Sequence, residues 1–202
     1  MTATDRAITK PLKWPIFIVC VVVMLLAYLA MPHYEVAADA DGYMLRVTAR
    51  LAFCFLLLAM VARPLMQLTG HGRVLVQHRR YLGLAMALTH TVHFYFVVRV
   101  VLAMDEPLGV ETIVGAGLAF VLTWLMAATS NNASVRLLGR NWRRLHLFGP
   151  YYVWFIFMLT FAGRLSGDQL LPFYWAIVGL GLAALLLRIY VYWWRRRNAA
   201  TR

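Results

Sequence analysis

Along the chain, apolar residues gather into six blocks: Trp14–Met31, Leu45–Ala62, Tyr81–Met104, Gly109–Ala128, Leu147–Gly163 and Pro172–Trp194. Each approaches the ~20 residues that carry a helix across ~30 Å of hydrocarbon. In lipid, backbone polar groups must pair within their own segment, so blocks of this length predict helices. The pattern predicts an all-α, polytopic membrane protein, a bundle of six transmembrane helices. The longest connection, Arg63 to Arg80, is about eighteen residues, too short for a second domain, so residues 1–202 form one domain.

Composition supports this reading. Hydrophobic residues make up 62% of the 202 residues and the mean hydropathy is +0.68, which excludes an ordinary soluble domain. Charge adds orientation. Basic clusters (Arg6 to Lys13, Arg63 to Arg80, Arg136 to Arg144, Arg195 to Arg202) alternate with acidic ones (Glu35 to Asp41, Asp105 to Glu111, Asp168), with one apolar block between each pair. Lys and Arg mark cytoplasmic loops, so both termini are expected in the cytoplasm. The net charge of +12 is dispersed over membrane boundaries instead of one solvated face. That excludes nucleic acid as a partner and implies contact with anionic membrane lipid. Cys20 and Cys54 form neither C-x-x-C nor C-x-x-C-H, so no disulfide or covalent haem attachment is expected. The first block has basic residues before it but no small-x-small cleavage site before Pro32, and reads as a retained helix.

The candidate chemistry lies in the histidines. His90 and His93, three residues apart in the third block, share one helical face. Counted from Arg80, they lie ~15 and ~20 Å deep. His78 and His146 each adjoin an Arg pair at the inner boundary. Two helices offering imidazoles at matched depth can clamp a b-type haem. Cations for its propionates stand on both sides: Arg46, Arg50, Arg99 and Arg164 outside, and Arg79, Arg80, Arg143 and Arg144 inside. The competing readings are a histidine satisfied by an interhelical hydrogen bond and boundary arginines that merely snorkel. His33 and His71 fall at the surfaces and read as solvated.

The run Arg79–Gly83 (R-R-Y-L-G) with His93 ten residues beyond resembles the third-helix signature of the ferric reductase-like transmembrane domain family. The stretch Ala127–His146 (A-A-T-S-N-N-A-S-V-R-L-L-G-R-N-W-R-R-L-H) resembles that family's connection between spans four and five. The similarity is greatest to its MsrQ, or YedZ, branch, the haem-binding membrane subunits of the MsrPQ methionine sulfoxide reductase system. The resemblance implies one or two haems b in the bacterial cell inner membrane. It also implies electron transfer from quinol, or from a separate cytoplasmic flavin reductase carrying FMN, to a periplasmic molybdopterin reductase. The chain would then be the electron-transfer subunit of an oxidoreductase rather than a complete enzyme. The family's second fifth-helix histidine is replaced by Leu159. This leaves the outer iron five-coordinate on His93, or ligated by Met158, or leaves only an inner haem held by His146 with His78. Gly149 and Pro150 predict a helix break that would re-aim His146. Two alternatives stand beside haem-mediated transfer: a divergent member without one or both haems, acting as a binding or scaffold subunit, and a proton or ion pathway through His90 and His93.

Overall fold

The structure, a computed structural model, describes residues 13–29, 37–104, 108–166 and 171–200. Glu35, Asp105, Glu106 and Asp168, like Arg6, Lys10, His33 and Arg202, lie outside them. Six helices follow one another: α1 Lys13–Leu29, α2 Ala37–Thr69, α3 Arg73–Leu102, α4 Val110–Ala128, α5 Asn132–Ala162 and α6 Leu171–Ala200. The protein is an all-α, polytopic membrane protein. Helices α2 to α6 are long and apolar enough to cross a membrane, and α1 carries a shorter apolar stretch, Ile16–Leu26.

Helix extends well beyond the apolar blocks. The expected loop from Arg63 to Arg80 is almost wholly helical, with α2 carrying Pro64 inside it and the chain turning only at Gly70 and Gly72. These glycines take φ of 70° and 87°, a region that other residues enter only at a cost, and they turn α2 sharply into α3. Across this turn the two helices form the most extensive pair in the bundle. Small buried residues (Ala49 and Ala52 on α2, Ala85 on α3) let the backbones approach closely.

The expected break at Gly149–Pro150 is not where α5 bends. Pro150 lies inside α5, and the non-helical residue is Gly139, with φ 48° and ψ −108°. The start of α5 is set by Asn131, whose side chain accepts the Ser134 N–H at 2.7 Å. A second internal proline, Pro64 on α2, is answered from outside the helix. It has no N–H for the carbonyl four residues back, that of Met60, and Arg188 of α6 donates to that carbonyl at 3.1 Å. Arg188 also donates to the Tyr151 hydroxyl at 2.8 Å. One side chain thereby joins α2, α5 and α6 and repairs a backbone group that lipid could not satisfy.

Candidate functional site

On α3, one helical turn brings His90 and His93 together with rings stacked at 5.7 Å. They look into a cavity of about 200 Å³ at the acidic end of the bundle, walled by Phe120, Phe157 and Phe161. The neighbours of His93 fix its tautomer. Its Nδ1 lies 3.1 Å from the Leu45 carbonyl, which can only accept, so Nδ1 carries the proton and donates it. The Thr48 hydroxyl, 3.2 Å from the same nitrogen, spends its own proton on the Met44 carbonyl and accepts as well. The Nε2 lone pair is left for a ligand, as in metal-binding histidines whose other nitrogen is held by a carbonyl. His90 is arranged alike: its Nδ1 is 3.2 Å from Thr123 Oγ1, and that hydroxyl donates to the Ala119 carbonyl. His90 therefore makes the interhelical bond expected of a satisfied membrane histidine, and it is only 4% exposed beneath Phe120.

Three of the four expected outer cations meet at this cavity: Arg46, Arg50 and Arg164. Arg50 is steadied by Phe173, whose ring centroid lies 4.4 Å from its guanidinium carbon. Arg99 is the exception. It pairs with Asp41 at 2.8 Å on the surface and does not line the cavity.

Across from the histidines, α5 presents Ile156, Phe157, Thr160 and Phe161. Leu159 is not among them; it is 54% exposed on the outside of the bundle. Met158 is 8% exposed and turns toward α6, where a Cβ on Gly181 would overlap its Sδ. Met158 is thus not aimed at His93. Successive helical residues diverge by about 100°, so Met158, next to Leu159 along α5, does not share the face that Thr160 presents to the cavity.

At the basic end a larger cavity, about 1040 Å³, is lined by His146 with Arg79, Arg80 and Arg143. His78 and Arg144 do not reach it. His78 turns back along α3, its Nδ1 2.8 Å from the Val74 carbonyl, so it does not face His146. The Nε2 of His146 is already engaged, 3.0 Å from Thr129 Oγ1, and Trp142 stacks on the ring at 4.3 Å. Sequence reasoning missed Arg188, although an arginine inside an apolar block is itself a signal. It also missed Thr48 and Thr123, whose roles depend on which helices become neighbours. Among the described residues no carboxylate lines either cavity, and no three His, Cys, Asp or Glu side chains converge as a metal-binding group.

No family model matches the chain, and no solved structure matches it. The chain is similar to named bacterial proteins over most of its length. It is 31% identical over 172 residues to the protein-methionine-sulfoxide reductase heme-binding subunit MsrQ of Bordetella pertussis, covering 81% of each chain. With the MsrQ of Pectobacterium atrosepticum it shares 30% identity over 169 residues, 79% of this chain and 82% of the relative. With that of Salmonella paratyphi B it shares 28% over 187 residues, 85% and 89% respectively.

Proposed function

Because the chain belongs to the family of MsrQ haem-binding subunits of protein-methionine-sulfoxide reductase, we propose that it holds haem b at the acidic-end cavity and passes electrons across the bacterial inner membrane. The observation that carries this reading is the His93 imidazole, locked with its Nδ1 proton on the Leu45 carbonyl and its Nε2 free toward the cavity. When bound, haem b supplies a one-electron iron couple.

The chain's own residues do the rest. His93 Nε2 would hold the iron, and the bond from its Nδ1 to the Leu45 carbonyl holds the tautomer and raises the basicity of the ring. Arg46, Arg50 and Arg164, which line the cavity, would hold the propionates through charge-assisted hydrogen bonds. Phe120, Phe157 and Phe161 wall the cavity and would exclude water from the group held there. His90 closes the floor of the site. Since α5 contributes no imidazole or thioether to this cavity, His93 is the residue of this chain that would hold the iron there. At the basic end, a second haem on His146 would require its Nε2 to leave Thr129, and among the described residues no second imidazole lines that cavity, so the expected stoichiometry is one.

With the basic segments inside, electrons enter near Arg79 and Arg143 and leave near His93 and Arg164. The donor is quinol or a cytoplasmic flavin reductase bearing FMN, and the acceptor is a periplasmic molybdopterin methionine sulfoxide reductase. Among the described residues no carboxylate lines either cavity, which disfavours a proton pathway.

The test is reduction of the haem-loaded protein by a quinol analogue or by a flavin reductase, followed by reoxidation on adding the periplasmic reductase with methionine sulfoxide. Reduction by either donor supports the route. Full haem loading with no reduction by either contradicts it.

A further inference from the structure

We propose that Thr48 is a positioning residue for His93: its buried hydroxyl oxygen is a second acceptor for the His93 Nδ1–H and strengthens the hold of Nε2 on iron. This deepens the reading that His93 holds the haem, and rests on it.

The hydroxyl is placed by its own helix. Thr48 is 0% exposed, and its proton goes back one turn to the Met44 carbonyl at 2.8 Å, with the Leu45 carbonyl a weaker second acceptor at 3.2 Å. Threonine in a helix commonly satisfies its hydroxyl in this way. The oxygen keeps its accepting capacity, and it lies 3.2 Å from His93 Nδ1. The Leu45 carbonyl is 3.1 Å from the same nitrogen. One N–H of α3 is thus shared between two acceptors of α2 that stand three residues apart. A single acceptor leaves an imidazole free to swing about it, whereas two hold the ring more narrowly and give it more basic character.

Thr48 does not line the cavity, so it reaches a group held there only through His93. If volume alone were needed at this place, valine would fill it without burying a polar atom. The same stretch of α2 carries Arg46 and Arg50, which do line the cavity, so Leu45 to Arg50 serves both the imidazole and the propionates. Thr89 offers the internal comparison. It is equally buried at 0% and likewise donates to the carbonyl four residues back, that of Ala85. Its oxygen, however, meets Cys20 Sγ at 2.9 Å, and it lines neither cavity.

The experiment compares the full-length, haem-loaded wild type with Thr48→Val, Thr48→Ala, Thr48→Ser and Thr89→Val. It reads haem transfer to excess apomyoglobin, the iron–histidine stretching band of the ferrous protein by resonance Raman, and the midpoint potential. Both variants without the Thr48 hydroxyl should hold haem about tenfold more weakly, with the band moved to lower frequency and the potential raised, since a less basic imidazole stabilises ferric iron less. Thr48→Ser should restore all three, and Thr89→Val should match the wild type. An unchanged band and potential in Thr48→Val and Thr48→Ala, no recovery in Thr48→Ser, or an equal change in Thr89→Val overturns the proposal while leaving the role of His93 intact. A wild type without haem, or a haem that His93→Ala leaves unchanged, overturns both.

Discussion

Leu45 does more for His93 than any charged residue does, because a backbone carbonyl can only accept and so decides which ring nitrogen keeps its lone pair. The same logic separates Leu159 from Thr160 on α5. Leu159 is exposed on the outside, and Thr160 borders the cavity that holds His93. Placing His at Leu159 is therefore expected to leave the iron high-spin, and Thr160→His to supply a second imidazole and give a low-spin spectrum with a lower potential; EPR of the two variants distinguishes them. The arginines divide similarly. Arg50→Gln and Arg164→Gln should reduce haem occupancy, since both groups line the site. Arg99→Gln should leave occupancy unchanged and change stability little, since its pair with Asp41 is solvent-screened and lies off the cavity. Haemochrome quantitation of the three variants checks this. Candidate residues were legible as types at a depth: a histidine pair in an apolar block and arginines at its end. Their facing was not, because one residue of register turns a side chain by about 100°, and the partners that settle it, Leu45, Thr48 and Thr123, are ordinary residues of other helices.

Element boundaries show where hydropathy stops being informative. Apolar blocks mark the part of a helix inside lipid, whereas α2, α3 and α5 continue into polar sequence until a glycine stops or bends them. Gly139 holds φ 48° and ψ −108°, and its surroundings leave space for a Cβ. Gly139→Ala thus adds backbone strain without a clash and should destabilise by about 1–3 kcal/mol. Gly179→Ala, on helical α6 and equally uncrowded, should be neutral or stabilise by up to about 1 kcal/mol. Thermal melts in detergent compare them. Pro150 reads as a breaker in isolation, yet α5 carries it, as α2 carries Pro64. In α2 the compensation is visible in Arg188. Arg188→Met strands the Met60 carbonyl and should cost about 1–3 kcal/mol. Pro64→Ala restores an internal donor for that carbonyl, so in the double variant the cost of Arg188→Met should shrink. Equal cost in both backgrounds would show that Arg188 stabilises the bundle through Tyr151 alone.

At the scale of the whole molecule, the apolar blocks were enough to anticipate the six helices, and the alternation of basic and acidic clusters gives their expected direction across the membrane. The separation of chemistry between its two ends followed from the same pattern. The acidic end gathers two imidazoles, three guanidinium groups and an aromatic wall around a small cavity. The basic end gathers arginines from four helices around a larger one, with a single histidine already bonded to Thr129. Volume alone would favour the basic end, and the free Nε2 of His93 is what favours the acidic end in the proposed reading. Pyridine haemochrome analysis with a reduced-minus-oxidised spectrum, made in parallel on the wild type and His93→Ala, decides between them. One haem b per chain, absent from His93→Ala and recovered on adding imidazole, is the predicted result; a haem that persists unchanged in His93→Ala, or a wild-type protein with no haem, would contradict it.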